Sequence, residues 1–201
     1  MAKTARWQDS FAEAAGLAAR GFDVSAKTPV RAELAYREAN AIALIGDMPR
    51  ARDALNKAKR VSESLDDDGM SAWSFSRGRQ AIFIVNVCVH TGDPDGALSA
   101  AREVDAYWSA GASKVAATWA QVQAGAAMAH LLKGSLDGAA AQLVPVLDLP
   151  PAQRIRTVTG YLDEIGTMIR APQYAESALA AQLGEQIREF SAAGAGASMD
   201  A

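Results

Sequence analysis

The stretch Ala39-Asn40-Ala41-Ile42-Ala43-Leu44-Ile45-Gly46-Asp47-Met48-Pro49-Arg50-Ala51 decides the fold, because its pattern returns twice further along the chain. Gly92-Asp93 and Gly134-Ser135 close an apolar segment and open another, as Gly46-Asp47 does. Five residues beyond the glycines stand Ala51, Ala97 and Ala139, twelve beyond stand Ala58, Val104 and Val146, and seven before stand Ala39, Val85 and Ala127. Small and medium side chains thus recur where the two helices of a hairpin would touch. Glycine can take the left-handed conformation that ends a helix, and the next Asp or Ser can accept hydrogen bonds from the first N–H groups of the following helix. Pro49 and Pro94 suit a first helical turn, where a missing N–H costs nothing. The pattern predicts an all-α stack of helical hairpins.

Outward from this stretch, the apolar period stays helical. Leu34, Ala35, Glu38, Ala39, Ile42 and Ile45 keep steps of three and four, all apolar but Glu38. Gly21, Pro29, Gly69, Gly111, Pro150-Pro151 and Pro172 add further punctuation. About nine helices are expected, near 4–20, 29–45, 49–64, 73–91, 94–109, 112–133, 136–147, 151–170 and 173–191, with ends uncertain by roughly two to four residues. The β-branched run Ile82-Phe83-Ile84-Val85-Asn86-Val87-Cys88-Val89 would allow a strand on propensity. Its place before Gly92, matching Ala39 to Ala43 before Gly46, makes it a buried helix instead. One domain is expected over 1–191, followed by a flexible tail over 192–201, whose small-residue composition buries little apolar surface.

Half the residues are hydrophobic and the net charge is −3, so the chain reads as a globular protein without the basic excess that direct nucleic-acid binding needs. The single cysteine, Cys88, excludes a disulfide framework and fits a reducing cytoplasm. No apolar run approaches the roughly 18 residues of a membrane span, and no signal-peptide core follows Met1. Neither a metal site nor a cofactor is expected. His90 and His130 do not pair as ligands, Asp66-Asp67-Asp68-Gly69 lacks the alternation of a calcium loop, and no nucleophile-base order or glycine-rich phosphate loop is present. The chain is accordingly read as not an enzyme.

The spacing of Gly46, Ala51 and Ala58, repeated at Gly92, Ala97 and Val104 and again at Gly134, Ala139 and Val146, resembles that of tetratricopeptide (TPR) repeats over roughly residues 31–147. The resemblance implies a right-handed α-solenoid that binds an extended peptide or protein partner along the first helix of each hairpin. Counted back from each glycine, Asn40, Asn86 and Met128 then share one register, Tyr36, Ile82 and Ala124 a second, and Glu33, Arg79 and Gln121 a third. Asn40 and Asn86 stand where peptide-binding members present an asparagine to the ligand backbone, using a donor and an acceptor together. Tyr36, Arg37, Asn40, Arg79, Asn86 and Gln121 are the groove candidates; replacing either asparagine by alanine is expected to weaken peptide binding while leaving melting nearly unchanged. Arg37, Arg77 and Arg79 could hold a carboxylate, or pair with Glu33 and Glu38. Trp73, Phe75, Phe83, Tyr107, Trp108 and Trp119 could line a pocket, although such aromatics more often fill core.

A narrower resemblance rests on Gly134 to Ala141, Leu143 to Pro151, Arg154 and Arg156, and Pro172-Gln173-Tyr174 through Phe190. These stretches look like the C-terminal repeat region of bacterial transcriptional regulators with a Cro/C1-type helix-turn-helix. The resemblance implies a sensory or assembly region whose helix-turn-helix domain is absent from this chain, either a truncated piece or a stand-alone relative. The alternative is a TPR scaffold or homodimerisation module without a small ligand.

Overall fold

The structure is a computed structural model that describes residues 10–26, 28–65 and 74–197. Among the described residues stand nine α-helices: α1 (Phe11–Val24), α2 (Pro29–Ile45), α3 (Met48–Glu63), α4 (Arg77–His90), α5 (Pro94–Ser109), α6 (Ala116–Leu132), α7 (Leu136–Leu147), α8 (Arg156–Met168) and α9 (Ala178–Ala197). Single 3-10 turns at Pro151–Gln153 and Pro172–Tyr174 complete the described elements, and none is a strand.

The hairpin turns form as the local chemistry requires. Gly46, Gly92 and Gly134 have φ of 88°, 69° and 74°, the left-handed region that side chains disfavour. At the second and third turns the chain closes by paired bonds: Gly92 N donates to Val89 O and Asp93 N to Cys88 O, then Gly134 N to Leu131 O and Ser135 N to His130 O. The residue after each glycine caps the next helix. Asp47, Asp93 and Ser135 accept from the backbone N–H of Arg50 (3.2 Å), Gly96 (2.9 Å) and Gly138 (3.2 Å). Gly92→Ala is expected to lower stability by about 1–2 kcal/mol. By contrast, Gly160 lies inside α8 with open space where a Cβ would go, so Gly160→Ala should add up to about 1 kcal/mol. Urea midpoints that moved in the same direction would contradict this pair.

The chain gathers into two compact units, residues 1–100 and 101–201, with the boundary inside α5. In the first unit α2 packs on α1, α3 and α4. In the second, α6 packs on α7 and α8, and α9 on α7 and α8. All nine seam positions, Ala39, Ala51 and Ala58, Val85, Ala97 and Val104, and Ala127, Ala139 and Val146, are at most 4% exposed. Small side chains there let helix axes approach closely. Helix α6 is buried on nearly every side, from Ala120 and Val122 to Ala129 and Leu131.

Several boundaries differ from expectation for identifiable reasons. Gly21 is no helix end: it lies inside α1, where a Cβ would come within 3.2 Å of Leu34 Cδ1, so it serves the close approach of α1 to α2. The first helix is therefore packed against the first hairpin. Helix α4 starts at Arg77, capped by Ser76, whose hydroxyl accepts from Arg79 N. Helix α8 starts at Arg156 because Ile155 is extended after the 3-10 turn that follows Pro150 and begins at Pro151. Helix α9 runs to Ala197, past the expected end at 191 and into the expected tail, since alanine favours helix more than any other residue. Residues 198–201, Trp73 and the Asp66-Asp67-Asp68-Gly69 run lie outside the described residues.

Candidate functional site

Three pairs of residues join α2 to α4, and every pair has the same sequence offset of 46. Arg79 Nη2 donates to Glu33 Oε1 at 2.8 Å, Asn86 Nδ2 donates to Asn40 Oδ1, and the Arg37 guanidinium lies 5.7 Å from the Phe83 ring centroid. The offset equals the distance between Gly46 and Gly92, so each rung connects the same register of successive first helices. Helical steps of four and three separate the rungs along α2, at Glu33, Arg37 and Asn40. Tyr36 sits behind them, 1% exposed, with ring centroids of Phe75 and Phe83 at 5.4 and 6.1 Å.

The groove candidates of the first unit are thus brought together, but differently from the simple expectation. Asn40 and Asn86 are 2% and 4% exposed and bonded to each other. The expectation that their replacement would leave melting unchanged is corrected by this burial, because loss of one partner strands a polar group in the interior. Arg37 and Arg79 take the acid-pairing alternative: Arg37 donates to Glu33 Oε1 through Nε at 3.0 Å and Nη2 at 2.5 Å, so two guanidiniums share one carboxylate oxygen. Their side chains remain 20% (Arg37) and 42% (Arg79) exposed, so the ion pairs are reached by water. Burial pushes the Tyr36 hydroxyl up to about 12, opposed by a hydrogen bond with Ser62 and reinforced by Glu63.

In the second unit, Gln121 gives its amide to Ala117 O one turn back at 2.9 Å, and Met128 is 1% exposed in the core. A polar contact absent from the sequence argument lies nearby: Gln123, 6% exposed, donates to both carboxylate oxygens of Asp105 at 3.1 and 3.0 Å. Arg154 stacks 4.5 Å from the Phe190 ring centroid and donates to Leu149 O, while Tyr174 donates to Leu131 O. Residues of the regulator-like stretches therefore hold the second unit together. Trp108 is 8% exposed core, Lys114 lies over the Trp119 ring, and Tyr107 is exposed at 36%. Cys88 is 6% exposed, and burial first, then the Asp93 charge, pushes its thiol up to about 11, the opposite of an activated nucleophile.

His130 is held below its usual 6.5, by burial first and Lys133 second. The unfolded chain therefore takes up the proton before the folded one does. Its contribution to stability is complete above pH 6.5 and is lost as pH falls below it. His130→Gln should reduce the loss of stability between about pH 7 and about pH 5; an unchanged profile would contradict this.

The facing of Asn40 and Asn86 had a readable signal, since both lie six residues before a repeat glycine. The pairing of Glu33 with arginine was readable too, since Arg37 lies one helical turn on and Arg79 shares its register; that both meet the same oxygen was not, because rotamers at half-exposed sites are chosen by neighbours from both helices. Among the described residues no three His, Cys, Asp or Glu gather as metal ligands, and no helix is long and apolar enough to cross a membrane.

No family model matches the chain, and no curated protein does. A solved structure does: nearly identical TPR-like repeats of a kinesin-light-chain-like protein from Podosopora anserina, with TM-score 0.61 and 16% identity, covering 95% of this chain and 91% of that one. The fold is that of a TPR-like helical repeat.

Proposed function

We propose that this chain is a non-enzymatic protein-interaction module, which holds an extended peptide segment of a partner along the face shared by α2 and α4. The reading is carried by the three same-register rungs, Glu33 with Arg79, Arg37 with Phe83 and Asn40 with Asn86. They line up charged, aromatic and amide groups at regular intervals, as a strand-like ligand requires.

The test is to select peptides from a random displayed library against the whole chain and measure their affinities for Arg37→Ala and Arg79→Ala. Both arginines are part-exposed, so these variants should melt close to the parent while binding about fivefold or more weakly. Selected peptides that bind both variants as well as the parent would remove the face from consideration. Failure to select any peptide, together with self-association rising with protein concentration, would favour a scaffold or homodimer.

The sequence resemblance of residues 134–151, Arg154, Arg156 and 172–190 to bacterial regulators extends the proposal to a sensory or assembly region working in the cytoplasm with a helix-turn-helix partner. Binding between this chain and a separately produced helix-turn-helix domain from the same genome supports that extension; absence of binding to any such domain removes it.

A further inference from the structure

Four residues before the three turn glycines stand Ile42, Cys88 and His130, and four beyond them stand Arg50, Gly96 and Gly138. The two glycines among these are each covered by a side chain. A Cβ on Gly96 would lie 2.8 Å from Asp93 Cγ, and one on Gly138 would lie 2.8 Å from His130 Cγ and 2.7 Å from Ser135 Oγ, with His130 Nδ1 closer still. A carboxylate in the second turn and an imidazole in the third thus fill the same slot over the first turn of the following helix. That end of a helix is positive and carries N–H groups with no partner inside the helix. An anion such as Asp93 suits the slot. A neutral imidazole with its proton on Nε2 suits it as well, because Nδ1 then presents a lone pair, whereas an imidazolium presents an N–H and a positive charge.

His130 holds the turn through its backbone too. Its carbonyl accepts from Ser135 N at 2.9 Å, and Ser135 Oγ accepts from Gly138 N at 3.2 Å, so ring, turn and helix cap form one connected unit. The ring is half-buried, and Lys133 at the end of the same helix adds to the burial that keeps it neutral. On the helices packed against α6, α7 carries Asp137 and α8 carries Arg156, Tyr161, Asp163 and Glu164; none of these, nor Tyr174, whose hydroxyl donates to Leu131 O, offsets Lys133 at the ring. Asp105 of α5 is taken by Gln123. We infer that the third hairpin turn is a proton-sensitive joint: in mild acid a proton on His130 drives the imidazole out of the slot over Gly138 and frays the first turn of α7, while the first two turns hold. The first turn has Ile42 in place of the histidine, and the second has its slot filled by an anion, so neither gains a cation at a helix N-terminus when the pH falls.

Two measurements on the whole chain test this. In the first, the imidazole resonances of His130 are followed by NMR against pH, with His90, the other histidine, as the internal reference. Gly138→Ala puts a methyl group where the ring sits, so the ring should move to solvent and its midpoint should rise by about 0.3 of a pH unit or more, while that of His90 stays in place. In the second, amide hydrogen exchange, corrected for the intrinsic rate at each pH, compares the first two turns of α7 with those of α3. Between about pH 7.5 and about pH 5 the protection of α7 should fall about threefold or more relative to α3, and His130→Gln should abolish that difference. An equal fall in α3 and α7 overturns the inference, because the loss would then be general. A difference that survives in His130→Gln overturns it as well, as does an unchanged His130 midpoint in folded Gly138→Ala.

Discussion

Tyr36→Ala should destabilise the first unit by about 3–5 kcal/mol, the range for removing a fully buried aromatic side chain. Tyr36 is 1% exposed, and its ring meets both Phe75 and Phe83, which themselves lie 5.9 Å apart. Alanine would leave a cavity at the junction of α2, α4 and the segment that carries Phe75, three parts of the chain with separate backbones that cannot all collapse inward. Against the roughly 5–15 kcal/mol that holds a typical domain together, the loss is a large fraction. Tyr36→Phe separates ring from hydroxyl. Burial pushes the folded hydroxyl up to about 12 from its usual 10.0, so its contribution is complete below pH 10 and is lost as pH rises towards 12. Phenylalanine should flatten that alkaline loss and keep most of the neutral-pH stability. Denaturant titrations of all three proteins decide this, and a shift below 1 kcal/mol for Tyr36→Ala would show that the cluster does not anchor the unit.

The second large effect is a cycle at the asparagine rung. Asn40→Leu and Asn86→Leu should each cost about 1–3 kcal/mol, because each leaves the other amide buried without its partner. The double variant should cost much less than the two singles together, since both polar groups then leave the interior and two apolar side chains meet in their place. Chemical denaturation of the four proteins gives the coupling directly. Simple additivity would mean that the two amides do not depend on each other. The cycle also separates fold from function: a double variant that is stable but no longer binds library-selected peptides assigns the amides to recognition as well as to packing.

Much of the hairpin architecture was legible in the chain because its causes are local. A left-handed glycine, a capping Asp or Ser beside it and a small residue five positions on act within one or two turns. The bounds of α2, α5 and α7 fall where the spacing put them, at Pro29–Ile45, Pro94–Ser109 and Leu136–Leu147. The β-branched run before Gly92 forms helix α4 for the reason anticipated: burial of Val85, Val87 and Val89 outweighs a propensity difference of tenths of a kcal/mol per residue. Less was legible where two elements decide together. Gly21 reads as a stop, yet serves an approach to Leu34; Ile155 and the turn at Pro172–Tyr174 delay α8 and α9 through backbone conformations that apolar spacing does not encode.

By itself the sequence determined that this chain folds as TPR-like helical hairpins, and which residues share a register on the first helices, because periodicity and turn chemistry are properties of neighbours along the chain. Only the tertiary structure decided what those residues do to one another. Whether Asn40 looks outward or at Asn86, and whether Arg79 waits for a ligand or holds Glu33, depends on side chains 46 residues apart meeting across two helices. Their separation and burial set the strength of those bonds, and neither quantity exists until the helices pack.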